Sequence, residues 1–123
     1  MSLQTPLGRV RGLGSAKSGT HHWWMQRVTA VALVPLALWF VASLVCMVNA
    51  DYQAAVDWLS NPLVALLMLL FVVTGLYHLK LGMQVIIEDY LHGWMHVAGM
   101  MAMNFGIVIL TLGSVLAILK VFL

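Results

Sequence analysis

Charge is scarce in this chain. Its 123 residues include six Lys or Arg and four Asp or Glu, 8% in all, where soluble domains carry roughly 25%. With 63% hydrophobic residues, there is too little polar surface to coat a water-exposed core. The net charge of +2 is small and scattered along the chain, which excludes a nucleic-acid-binding surface. Cysteine occurs once, as Cys46, inside an apolar run. One thiol excludes an internal disulfide and an iron–sulfur cluster, and Cys46 reads as a small apolar residue. No flavin-binding motif occurs.

Long apolar runs are what the sequence does have. Residues 28–48 and 97–119 carry no formal charge, and 62–87 carries only Lys80. Each reaches the roughly 20 residues that cross a hydrocarbon core of about 30 Å. Within lipid such runs must be helical, because every backbone group needs a partner in its own segment. A soluble bundle is excluded by their length and by the missing polar faces. The expected fold is all-α, with three transmembrane helices at about 28–48, 62–87 and 97–119.

Residues 1–20 are polar, with glycines and the basic residues Arg9, Arg11 and Lys17. They read as a flexible arm preceding a membrane domain over 21–123. The first apolar run starts too late and is too long for a signal peptide. Basic residues set the orientation. Arg9, Arg11, Lys17 and Arg27 precede the first span, whereas the next loop holds Asp51 and Asp57 and no base. The N-terminus is thus predicted to be cytoplasmic, with the 88–96 loop on the same side. Trp23, Trp24, Trp58 and Trp94 stand at the span edges, where indole rings settle among headgroups. These features predict a multi-pass protein of a bacterial inner membrane.

In so apolar a chain, the polar residues inside the membrane carry the information. His78 lies ten residues before Glu88, so about 15 Å inside the cytoplasmic edge. Ionisable groups at that depth are functional candidates. At about 100° per residue, Phe71, Thr74, Gly75, Gly82, Val85 and Asp89 share its side of the helix. Gly75 and Gly82 leave a flat recess around the imidazole. A planar macrocycle fits such a recess, with neutral imidazole on its iron. Helix packing at the glycines and proton transfer by His78 are the alternatives. A second axial histidine would have to come from another chain, because no other histidine here lies at that depth.

Other polar residues read more simply. Lys80 points about 200° away from His78 round the helix and snorkels toward the surface or pairs with a partner. Glu88-Asp89-Tyr90-Leu91-His92 marks the cytoplasmic end of the second span, suited to a polar head group or to an ordinary boundary loop. His92 and His96 share a helical face, but two histidines do not make a metal site. Arg27, at the hydrocarbon boundary, suits a phosphate or carboxylate, or simply sets topology. Gly99, Gly106 and Gly113 repeat every seven residues, a stripe expected to pack closely on another helix. Nine scattered methionines read as adaptable packing.

Two segments together resemble the D-type hydrophobic membrane anchor of succinate dehydrogenase, respiratory complex II. The first runs from Gly19 through His21-His22-Trp23-Trp24 to Arg27 and Ala30. The second is His78-Leu79-Lys80-Leu81-Gly82-Met83-Gln84, followed by Asp89-Tyr90. The resemblance spans roughly residues 8–120. It implies that His78 is an axial ligand of haem b and that the other, cytochrome b556-type anchor supplies the opposite ligand. It also implies that Tyr90 hydrogen-bonds ubiquinone, with Asp89 beside that site, and that Arg27 approaches a haem propionate. Lys80 departs from the family pattern.

By this resemblance the chain is non-catalytic alone. It docks the flavoprotein and iron–sulfur subunits, co-ligates haem b and helps form the ubiquinone reduction site. Three alternatives stay open: a haem-free structural anchor, the anchor of a related fumarate reductase, and a proton or ion translocator built on His78, Lys80 and Asp89.

Overall fold

The computed structural model describes residues 3, 5–12 and 19–123, and these contain helices and no strand. The helices are α1 (Pro6–Arg11), α2 (Gly19–Cys46), α3 (Tyr52–Leu59), α4 (Pro62–Tyr90) and α5 (Trp94–Phe122). Three of them, α2, α4 and α5, are long and apolar enough to cross a membrane, as the composition predicts. At 28, 29 and 29 residues, each is about 42–44 Å long. That exceeds a hydrocarbon core of about 30 Å, so the polar ends reach the headgroup zone.

The boundaries differ from the apolar runs. Helix α2 starts nine residues before the run at 28, and α5 extends the third run at both ends. The end of α4 moves from residue 87 to Tyr90. Apolar runs stop where side chains turn polar, but the backbone ladder continues through them. Within the arm, Pro6–Arg11 forms a short helix, with Thr5 accepting from the Gly8 amide at 3.0 Å. Lys17 and the rest of 13–18 lie outside the described residues.

Helix α3 occupies what reads in sequence as a loop. The Asp51 side chain caps it, accepting from the Ala54 amide at 2.8 Å. Trp58 of α3 stacks on Trp39 of α2, with ring centroids 5.9 Å apart. Beyond it, Asn61 caps α4 by accepting from the Leu63 amide at 2.9 Å, and Pro62 opens the helix where its missing N–H costs nothing.

Helix α4 is central. It packs on α2 and on α5, and those two make no close backbone contact with each other. A turn over 91–93 folds α5 back along α4. Gly93 takes φ +65° there, a backbone angle that L side chains rarely adopt. At Gly99 an added Cβ would stand 2.9 Å from Leu91 Cδ1, so this glycine lets α5 close on the turn. Gly106 and Gly113 have nothing within 4 Å of an added Cβ, so only the first member of the glycine stripe packs inside the chain. The buried positions of α5, Met103 and Ile118, show the reason. From Gly99 they lie about 40° and 100° round the helix, while the seven-residue repeat drifts about 20° the other way at each step.

Only 6% of the residues in the apolar stretch of each long helix are fully buried. The apolar surfaces left outside must meet lipid or another chain.

Candidate functional site

Helices α2 and α4 meet along an antiparallel seam. Phe40 tilts against Phe71, with centroids 4.9 Å apart. Leu33 lies where a side chain on Gly75 would reach, with Cδ2 3.8 Å from the ideal Cβ position. Thr29 meets His78 next along the seam. Finally, His22 Nε2 lies 3.1 Å from the Leu81 carbonyl oxygen and stitches the start of α2 to α4. His22 and Thr29 are seven residues apart and share one face of α2.

Thr29 Oγ1 is 2.9 Å from His78 Nδ1. It is also 2.7 Å from the Met25 carbonyl and 3.1 Å from that of Gln26. The threonine is buried, at 6% exposure, and His78 is half-buried. The ring's other nitrogen, Nε2, has no hydrogen-bond partner among the described residues. The imidazole is thus held at Nδ1 and open at Nε2, as a metal-ligating histidine requires. Gly82, four residues on, has nothing within 4 Å of an added Cβ. The expected recess is therefore half kept: α2 occupies the Gly75 side and the Gly82 side is open. Among the described residues no three His, Cys, Asp or Glu side chains come together to hold a metal ion. His78 Nε2 suits one ligand position on a metal.

Asp89 and Tyr90 form the last turn of α4 and are exposed, Tyr90 at 78%. They sit on helix rather than in a loop, so α4 fixes their spacing from His78 at about 18 Å for the twelve-residue step to Tyr90. Glu88, beside them, accepts from Gln84 Nε2 at 2.9 Å. Two clefts open near this end of α4. One, of about 300 Å³, is lined by His21, His22, Tyr77, Lys80, Gln84 and Glu88 among others. The other is lined by Glu88, Leu91, His92, Gly93 and His96. Asp89 and Tyr90 line neither, so any pocket they serve needs a surface from elsewhere.

Arg27 is exposed, with its guanidinium carbon 5.3 Å from the centroid of the Trp23 ring. It lies two positions from Thr29, about 200° round α2, and so faces away from α4. The structure does not bring Arg27 and His78 together. Lys80 lines the first cleft while His78 faces Thr29. Thr29 is the residue that reading the sequence passes over. The available signal was a hydroxyl in an uncharged run, one heptad after His22.

Comparison with known proteins agrees with this architecture. Residues 1–119 match the family model for the succinate dehydrogenase/fumarate reductase transmembrane subunit. The chain is 43% identical over 83 residues to the succinate dehydrogenase hydrophobic membrane anchor subunit of Rickettsia bellii, covering 68% of this chain and 66% of that one. It is 34% identical over 93 residues to the Paracoccus denitrificans anchor subunit, covering 76% and 72%. A membrane anchor subunit from Reclinomonas americana is 32% identical over 80 residues, covering 63% and 67%. The match thus spans just under two thirds of the Rickettsia bellii protein. No solved structure matches the chain. Three apolar spans, a half-buried histidine and these likenesses together lead to one conclusion: the chain belongs to the succinate dehydrogenase/fumarate reductase transmembrane subunit family.

Proposed function

We propose that this chain is the D-type anchor of a succinate:ubiquinone oxidoreductase in a bacterial inner membrane, with its N-terminus cytoplasmic. In this reading it docks the flavoprotein and iron–sulfur subunits on the cytoplasmic face. With a second, cytochrome b556-type anchor it holds haem b and forms the ubiquinone site. The observation that carries the reading is His78, held at Nδ1 by Thr29 and open at Nε2, on a helix whose last turn exposes Asp89 and Tyr90.

Each residue then has a task. His78, through Nε2, would hold the haem iron together with a residue of the second anchor. Haem b, when bound, supplies a one-electron site at that depth. Arg27, exposed on Trp23 and two residues before Thr29, is the cation proposed for a propionate. At the C-terminal end of α4, the Tyr90 phenol donates a hydrogen bond to a ubiquinone carbonyl and orients it. Asp89, exposed beside it, passes protons from the cytoplasmic side toward the same oxygen. Neither task can be completed by this chain alone.

The test is the purified complex carrying Tyr90→Phe, which removes one donor and nothing else. Succinate-dependent ubiquinone reduction should fall about ten-fold or more, while succinate oxidation by an artificial acceptor persists. Full ubiquinone activity in the variant would remove Tyr90 from the site. The haem-free anchor differs in one observable: its purified complex has no b-type absorption band.

A further inference from the structure

We propose that Thr29 is a positioning residue for His78: it fixes which ring nitrogen is protonated and tunes the electron density offered to the iron. This rests on the haem reading above and adds to it a residue on a different helix.

The hydroxyl carries one proton and has three polar neighbours, at 2.7 Å, 2.9 Å and 3.1 Å. If that proton pointed at His78, the Met25 carbonyl and Thr29 Oγ1 would face each other at 2.7 Å with no hydrogen between them. The proton therefore goes to the backbone of α2, and the hydroxyl presents lone pairs to His78. Nδ1 must then be the protonated nitrogen, donating to Thr29 Oγ1. That leaves the lone pair on Nε2, the form that binds iron. The burial of Thr29 keeps water from replacing it. Both ends of the chain of hydrogen bonds are anchored, one in the α2 backbone and one on the α4 ring, so the ring's rotation is set as well. An N–H bonded to an oxygen makes the ring a better electron donor. Better donation favours the ferric over the ferrous iron and lowers the haem potential.

The experiment uses the whole complex with Thr29→Val, Thr29→Ser and His78→Leu, read by haem-to-flavin ratio and by redox titration of the b-type band. Thr111→Val is the control, because Thr111 Oγ1 makes the same kind of backbone bond, to the Ile107 carbonyl at 2.7 Å, on another helix. Thr29→Val should weaken haem retention about 10–100-fold and raise the midpoint potential of what remains. Thr29→Ser should restore both, and Thr111→Val should change neither. Wild-type retention and potential in Thr29→Val, with the band lost in His78→Leu, would overturn the Thr29 proposal alone. Absence of the band from the wild-type complex, or its survival unchanged in His78→Leu, would overturn the haem reading and this one with it. If Thr29→Val does not assemble, hyperfine spectroscopy of the wild-type ferric complex decides. A slowly exchanging proton on Nδ1 supports the proposal; a freely exchanging or missing one overturns it.

Discussion

At the scale of single residues, the glycines separate into those the fold needs and those it leaves open. Gly93 needs its φ of +65°, so Gly93→Ala should cost about 1–3 kcal/mol of stability, seen as a lower thermal midpoint of the purified complex. Gly82 has nothing within 4 Å of an added Cβ, so this chain's own packing tolerates a side chain there. Gly82→Leu should leave the complex assembled but reduce its haem-to-flavin ratio, if the open side of the recess holds the macrocycle. Unchanged haem content would place the macrocycle elsewhere. His78 was legible in the sequence because an ionisable group in a long apolar run stands out. Thr29 was not, because a hydroxyl satisfied by its own helix backbone is cheap anywhere in an apolar run. Only the fold shows that its oxygen also reaches His78.

At the scale of elements, α4 matters most because it is continuous from the Asn61 cap to Tyr90. One rigid rod joins the deep histidine to the boundary tyrosine. Inserting one alanine after Met83 would rotate Tyr90 by about 100° and advance it about 1.5 Å relative to His78. Ubiquinone reduction should then collapse while the b-type band survives; equal loss of both would argue against two separate stations. The existence of α2, α4 and α5 was readable from hydropathy, since lipid permits no other structure for such runs. Their ends were not, because hydrogen-bonded turns continue past the last apolar side chain. Helix α3 was missed because eight residues carry little periodic signal. Its supports are one local cap, Asp51 on the Ala54 amide, and one tertiary contact, the Trp58–Trp39 stack.

The whole chain is an unfinished structure. Only Thr29, Ala65, Leu81, Ile87, Met103 and Ile118 are buried among its described residues, and α2 and α5 do not close on each other. Gly106 and Gly113 face outward on α5 and are free for a neighbouring helix. Family membership follows from the chain as a whole, yet the proposed haem and ubiquinone sites each lack a wall. The sequence already required this for haem, since no second histidine lies at the depth of His78. Asp89 and Tyr90 line neither cleft near the end of α4, so the proposed ubiquinone site likewise calls for a surface from another chain. The most direct measurement is a reduced-minus-oxidised spectrum of the complex purified through this chain, for wild type and for His78→Leu. The account predicts a b-type band at one haem per flavin in the wild type, lost or sharply reduced in the variant. A wild-type complex with no such band, or a variant that keeps it in full, would contradict it.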